Sequence, residues 1–269
     1  EVLRMLLGQV LPLEQTWYPK EATVVFDVRM PRVILSFLVG ASLALGGAVL
    51  QGVFRNPLVS PQVLGVSAGA SFGGVLVMIL GLGAVWIVGG AFVFGIVALL
   101  LVMAIGRVSS SSPLLMIVLG GVVVSALFSA LVSLLTYVAD PYTQLPSITF
   151  WLLGSLATAS YAKVVTVLIP LLLGGVAIFA LRWRLNVLSL GDEDAGTLGV
   201  SPRATRNVLL VAVALLTAGA VAVAGVVGWV GLLVPHIARL IVGGDNRVLL
   251  PASFIIGGGY LTLVDTLSR

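Results

Sequence analysis

The longest strongly polar interval of this sequence is residues 182–206, which lies between two long apolar segments. The stretch carries four arginines and three consecutive acids, Asp192, Glu193 and Asp194. Charged groups on a water-facing segment can pair with complementary charges on a protein partner. The sequence therefore predicts a docking surface for a partner in water. The alternative interpretation is a solvated connector between two helices.

The order of residues in this stretch predicts its local structure. Acids favour the positive N-terminal end of a helix, so a helix is expected to start near residues 192–194. Gly199 suits a C-terminal cap. Ser201 followed by Pro202 is typical of an N-cap and the first helical position. We therefore predict two short helices joined by a turn at residues 199–200.

Two further polar residues could do chemistry. His236 follows Pro235 at an expected helix break, where capping or packing is the favoured role. Asp265 lies four residues before Arg269, a spacing that stabilises an exposed helix by a few tenths of a kcal/mol; the alternative for an acid at membrane depth is a proton relay. With one histidine and no cysteine, the sequence excludes thiolate and His-cluster metal sites. No catalytic constellation or Walker-type phosphate loop is present.

These residues are positioned by elements that are almost entirely apolar. The 269 residues are 59% hydrophobic and 9% charged, against roughly 25% charged residues in soluble domains. Continuous apolar runs such as residues 164–180 exclude the alternation of a transmembrane β-barrel. The fold class is therefore all-α, a polytopic helical membrane protein. The net charge of +4 is scattered over short loops, which disfavours nucleic-acid binding.

Apolar runs of about 20 residues predict membrane helices. We expect eight, two of them short, at residues 31–54, 63–82, 84–106, 114–138, 161–181, 208–227, 229–242 and 249–267. Residues 1–30 are expected to form an external loop with a short amphipathic helix, and residues 145–159 an interfacial helix. A face of small residues in the first span, residues 40–48, is expected to serve helix packing.

Basic residues set the orientation, since they favour the cytoplasmic side. They place on that side Arg55, Arg107, the stretch 182–206, Arg239 and Arg247. Helix breaks at residues 56–58 and 234–236, one in each half, are typical of inverted repeats in transporters. The sequence does not start with methionine, which suggests a fragment.

Several motifs resemble one family. They are VRMPR at residues 28–32, QGVFRNPL at 51–58, LGVSAGA at 64–70, FWLLGS at 150–155, LGV at 198–200, GLLVPHIAR at 231–239 and DTLSR at 265–269. Together, and in this order, they resemble the FecCD family. Its members are permease subunits of type II ABC importers for iron–siderophore, haem, vitamin B12 and related substrates.

The resemblance implies a permease fold with ten helices and an inverted repeat, multi-pass in the prokaryotic plasma (inner) membrane. Residues 1–269 are then a single permease domain that lacks the family's first and last helices. The implied partners are a second permease copy, two ATP-binding subunits and a periplasmic or lipid-anchored binding protein. The permease is not an enzyme and binds no cofactor or metal, because ATP and Mg are used by the ATPase subunits.

The resemblance also implies roles for individual residues. Arg29 and Arg269 match external arginines that dock the binding protein. Asn56 and Leu58 match a cytoplasmic gate, and the turn at residues 109–113 matches the position of a second gating segment. Residues 190–206 match the cytoplasmic coupling helices, with ATPase contacts at Gly191, Asp192, Glu193, Asp194, Leu198, Gly199 and Val200.

The substrate stays open at this point. A metal chelate (iron–siderophore, haem or cobalamin) is the default for the family, whereas residues 140–154 also resemble members that move molybdate or tungstate. The sequence disfavours two other classes of function. An ATP-independent secondary transporter needs ionisable groups mid-membrane, and only Asp265 comes near this. An intramembrane enzyme needs a catalytic pair, and the sequence shows none.

Overall fold

A computed structural model of the chain describes residues 2–7, 17–107 and 113–268. Within these ranges the regular structure is helical. The α-helices are Val2–Leu7 (α1), Pro19–Thr23 (α2), Met30–Phe54 (α3), Val66–Ile79 (α4), Ala84–Gly106 (α5), Pro113–Val138 (α6), Gln144–Leu152 (α7), Tyr161–Leu188 (α8), Asp192–Thr197 (α9), Pro202–Ala224 (α10), Val230–Val242 (α11) and Asn246–Leu267 (α12). Arg269 and residues 109–112 of the predicted gating turn at 109–113 lie outside the described residues.

Six of these helices are long and apolar enough to cross a membrane, and two apolar helices, α4 and α11, are shorter. The predicted set of eight membrane helices, two of them short, is therefore confirmed. The predicted interfacial helix is also present, as α7. Two boundaries were wrong: α8 continues through Arg182 and Arg184 to Leu188, and α10 starts six residues earlier than the predicted span, at Pro202.

The first membrane helix differs from its prediction. Residues 17–30 are not a loop, because a continuous helix runs over Pro19–Phe54. Its turn Val24–Arg29 is a π-helix, in which Met30 N–H bonds to the Val25 carbonyl. Pro31 lies two residues after this turn. It has no N–H and its ring crowds the preceding turn, so a widened turn lets the helix continue past it.

Helices α3 and α10 form the centre of the molecule. In each, 78% of the most apolar 18-residue window is buried, compared with 28% in α5 and α6. The predicted packing role of the small residues on α3 is confirmed at two positions. A Cβ on Gly40 would collide with the Gly257 carbonyl of α12, and one on Gly47 with the Gly231 carbonyl of α11. These backbone contacts allow three helices to approach closely.

Two irregular segments meet within this centre. The first lies between α3 and α4 and contains the 3₁₀ turn Pro61–Leu64; the second is residues 225–229, between α10 and α11. Gln62 Nε2 donates to the Val227 carbonyl at 3.4 Å, and Gln51 Nε2 donates to the Leu232 carbonyl at 3.2 Å. Backbone that leaves the helix at membrane depth must be hydrogen-bonded within the protein, and these glutamines supply bonds there.

The second break was predicted at the wrong place. Helix α11 continues through Pro235, and the chain instead leaves the helix at Gly225, whose φ is +72°. His236 is exposed on α11, so it is neither a cap nor a core residue. Pro235 lacks the N–H that would bond to the Gly231 carbonyl, and that carbonyl lies against Gly47 of α3. This close packing accommodates the proline without a break.

Candidate functional site

The acidic stretch folds into a compact site at one end of the molecule. Helix α9 starts at Asp192, whose carboxylate accepts hydrogen bonds from Arg206 Nη1 at 2.7 Å and from Arg206 Nη2. Arg55, directly after α3, places its Nη2 3.5 Å from the same carboxylate. One acid therefore contacts arginines from the end of α3 and from the start of α10.

Local sequence explains how the turn forms. Gly199 has φ +75°, a conformation that glycine adopts without strain. Val200 N–H closes the turn onto the Ala195 carbonyl at 2.9 Å, and Ser201 accepts from Ala204 N–H at 3.4 Å as the N-cap of α10. The first predicted short helix is confirmed as α9. The second is not separate, because it is the first turns of α10.

Arg206 is a buried contact of α9 rather than a charge open to solvent. Its side chain is only 9% exposed and lies under α9. Its hydrogen bonds to Asp192 are the largest cause that lowers the pKa of that carboxyl below its ordinary value of 3.8. Asp192 is therefore ionised at neutral pH, and the buried guanidinium of Arg206 has an opposite charge beside it.

The seven residues predicted to contact an ATPase divide into two groups. Glu193, Asp194, Leu198 and Gly199 are exposed on the outer surface of α9 and its turn. Val200 is 4% exposed and packs inward, Gly191 is partly buried, and Asp192 points toward Arg206 and Arg55. Only the first group forms an open face.

The predicted gate residues lie next to this site. Arg55 ends α3 with φ +52°, so the chain turns sharply there. Asn56 Oδ1 accepts from Leu58 N–H at 2.9 Å and closes the turn. Leu58 is 77% exposed. We call residues 55–58 the gate turn; its ion pair with Asp192 places it beside α9.

The same end holds a polar cluster that the sequence reading missed. Asn186 near the end of α8 donates to Asp245 Oδ1 at 2.6 Å and accepts from Asn246 Nδ2 at 2.7 Å. The Arg247 side chain and backbone, with Asn186, lower the pKa of Asp245 to about 2. The signal in the sequence was the Asp245 N-cap after two glycines, but nothing there pointed to Asn186 as its partner.

The opposite end contains a second ion pair. Arg32 of α3 donates from Nε at 2.9 Å and from Nη2 at 2.7 Å to the carboxylate of Asp265 on α12. Asp265 is 7% exposed. The sequence offered Arg269 as the partner of this acid, and Arg269 lies outside the described residues. A carboxylate held by an arginine in this way favours a structural role over a proton relay.

The predicted outer docking residue Arg29 is exposed, at the end of the π-helical turn. It lies one turn before Arg32 on the same continuous helix. Helix continuity therefore places an exposed cation next to the Arg32–Asp265 pair, at the end of the molecule opposite α9.

Comparison with known proteins assigns this arrangement to a family. The profile of the FecCD transport family matches residues 1–269. The chain belongs to the FecCD transport family. A Haemophilus influenzae protein named as the molybdate import system permease MolB is 42% identical over 266 residues, which cover 98% of this chain and 79% of that protein.

Two other matches support the same family. A Helicobacter pylori protein named as an iron chelatin transport system permease is 42% identical over 246 residues, 91% of this chain and 74% of that protein. A solved structure described as an inward-facing metal-chelate type ABC transporter matches with a TM-score of 0.88 and 39% identity, covering 100% of this chain and 90% of that one.

This FecCD chain is thus a membrane transport subunit, an ABC importer permease with an all-helical fold, and a multi-pass protein of the inner membrane. The predicted family and fold class are confirmed. The names of its relatives differ in substrate, molybdate for one and an iron chelate for another.

Proposed function

We propose that this permease forms the translocation path of an ATP-driven importer, in which two copies of the chain enclose the path. Two ATP-binding subunits, which use ATP and Mg, dock on α9, and an external binding protein delivers the substrate. The permease itself binds no cofactor. The observation that carries the proposal is the exposed acidic face of α9, which lies beside the gate turn at one end of the membrane helices.

Within this single permease domain, residues 190–206 are the coupling segment, and Asn56 and Leu58 form the cytoplasmic gate. The exposed carboxylates of Glu193 and Asp194 suit a basic groove on the ATPase. Leu198, 55% exposed, supplies an apolar contact beside them. A movement of the ATPase subunits that displaces α9 then reaches the gate directly, because α9 lies beside the gate turn.

Reversing the exposed charges tests this proposal. The double substitution Glu193→Lys and Asp194→Lys is expected to abolish retention of the ATPase subunit, because like charges then face each other. Co-purification of the tagged permease with its ATPase measures the effect. Glu21→Lys with Asp27→Lys is the matched control, since it makes the same charge change at the opposite end. Full retention by the first double variant contradicts the docking role.

The outer partner is proposed to contact Arg29, and Arg269 is proposed as a second contact. An exposed arginine pairs well with a carboxylate on a partner and mainly affects association at low salt. Arg29→Glu is expected to weaken binding-protein affinity, measured by titration at low and high ionic strength. Unchanged affinity at low salt argues against this contact.

For the substrate we propose a metal chelate such as an iron–siderophore, haem or cobalamin. Its support is the iron chelatin permease and the metal-chelate transporter among the similar proteins. The alternative is molybdate or tungstate, which the 42% identity to MolB favours. Uptake of radiolabelled molybdate and of a ferric chelate by the same reconstituted transporter decides between them, since only the substrate that the transporter carries should accumulate.

A further inference from the structure

Asp192 differs from the two acids that follow it. It lies at the first position of α9, with 52% of its side chain exposed, yet its carboxylate points to two arginines of this chain. A cavity of about 350 Å³, lined in part by Arg107 and Arg203, opens beside it, so water reaches the pair. The carboxylate is thus engaged within the permease but not sealed.

The two arginines hold Asp192 unequally. Arg206 makes two hydrogen bonds to it and is 9% exposed, so this link fixes α9 to α10. Arg55 reaches the carboxylate through one 3.5 Å contact and is 43% exposed. Exposed ion pairs of this kind are weak, typically worth ~0.2–1 kcal/mol. The Arg55 link can therefore form and break while the Arg206 link persists.

Arg55 is also the first residue of the gate turn. It ends α3 in the left-handed region, and its neighbour Asn56 closes the turn that presents Leu58. The only group from α9 that an ion pair connects to this turn, among the described residues, is Asp192. The shortest polar connection from α9 to the predicted gate thus runs through Asp192 and Arg55.

We propose that Asp192 is a positioning residue that couples displacement of α9 to the gate turn through Arg55, with Arg206 as its fixed anchor. Glu193 and Asp194 bind the ATPase, whereas Asp192 passes the movement on within the permease. This inference rests on the proposed function, because it takes α9 as the ATPase contact and residues 56 and 58 as the gate.

Residues 1–269 contain no cysteine, so a cysteine introduced among them is the only one in this part of the permease, and the unsubstituted permease gives the background labelling. A single reporter, Leu58→Cys, is introduced into the full-length permease, and the complete transporter is assembled in nanodiscs. The labelling rate of the cysteine by a maleimide is measured without nucleotide and after trapping with ATP and vanadate. The ratio of the two rates reports the response of the gate turn to the ATPase. Retention of the ATPase subunit is measured in the same samples.

Arg55→Gln and Asp192→Asn are each expected to reduce this ratio about threefold to fivefold, the size that a weak exposed pair can supply. The double variant is expected to match Asp192→Asn, because the Arg55 interaction is already absent once Asp192 is replaced. ATPase retention is expected to stay at the parental level in Arg55→Gln. Asp245→Asn is the matched control, since it neutralises an acid at the same end that pairs with Arg247 rather than Arg55; it should keep the parental ratio.

Three results overturn the inference. A parental ratio in Arg55→Gln shows that the pair does not carry the movement. Loss of the ATPase subunit in Asp192→Asn, with a parental ratio in Arg55→Gln, makes Asp192 a docking residue and leaves the proposed function standing. If the Leu58→Cys labelling rate of the parental transporter does not change with ATP, the proposed gate is contradicted and this inference with it. ATPase docking is tested separately, by co-purification of the Glu193→Lys and Asp194→Lys double variant.

Discussion

Each end of this permease has an aspartate held by an arginine, but the two pairs differ in which partner is buried. At the end that we propose faces outward, called the outer end here, Asp265 is 7% exposed and Arg32 22%, and the pair joins residues 233 positions apart on α3 and α12. At the end that we propose faces the cytoplasm, called the cytoplasmic end here, the acid, Asp192, is 52% exposed while Arg206 is 9% exposed. The same chemistry therefore buries the acid at one end and leaves it open to water at the other.

The difference follows from where each acid lies. Asp265 is on the inner face of α12, where Leu261 packs one turn away and Gly40 and Gly257 bring α3 within backbone contact. Asp192 lies at the start of a six-residue helix surrounded by water on one side. Removing one partner of an ion pair that has little water around it costs much stability, whereas removing one partner of a hydrated pair costs little.

The largest effect is expected from breaking the outer pair. Asp265→Ala leaves the partly buried Arg32 without this carboxylate and should cost on the order of 3 kcal/mol. Thermal unfolding of the detergent-solubilised permease, followed by size-exclusion chromatography, measures the loss.

The control for Asp265→Ala removes both charges. Replacing Arg32 with Met and Asp265 with Leu removes both charges of this pair, so much of the stability should return. If Asp265→Ala unfolds at the parental temperature, the pair does not fasten α3 to α12 and the comparison between the two ends fails.

A smaller effect is expected at the cytoplasmic end. Asp192→Asn should cost about 1 kcal/mol, because the amide oxygen can still accept a hydrogen bond from the buried Arg206 and the side chain is half exposed to water. The same unfolding assay is run at low and high ionic strength. The Asp192→Asn difference should shrink in salt and the Asp265→Ala difference should not, since buried charges are screened much less.

Acid titration sharpens the Asp192 result. Its pKa is lower in the folded protein than the ordinary value of 3.8, so its contribution is fully present above that value and is lost as the pH falls through the lowered pKa. The stability difference between the parent and Asp192→Asn should therefore persist at neutral pH and vanish in strong acid. A difference that is already lost near pH 6 contradicts this assignment.

Much of the cytoplasmic site could be read from its own residues. The acids at the start of α9, the turn at Gly199 and the Ser201 cap act over a few residues, so their spacing is visible in the sequence. The extent of the helices was harder to read. Polar residues at 17–30 suggested a loop, yet the chain stays helical there, and Pro235 suggested a break that close packing on Gly47 removes.

The sequence alone determined that this chain is a helical membrane protein, with six long apolar helices and two shorter ones in the part that the structure describes, and it singled out residues 182–206 as the candidate site. It could do so because the hydrophobic effect and the bilayer thickness act on each segment separately. Only the tertiary structure decided that Asp265 bonds to Arg32, that Asn186 bonds to Asp245 and that Asp192 connects α9 to the gate turn. Which residues form ion pairs depends on which helix ends lie together. That depends in turn on the packing of glycine-lined helix faces that are far apart in the chain.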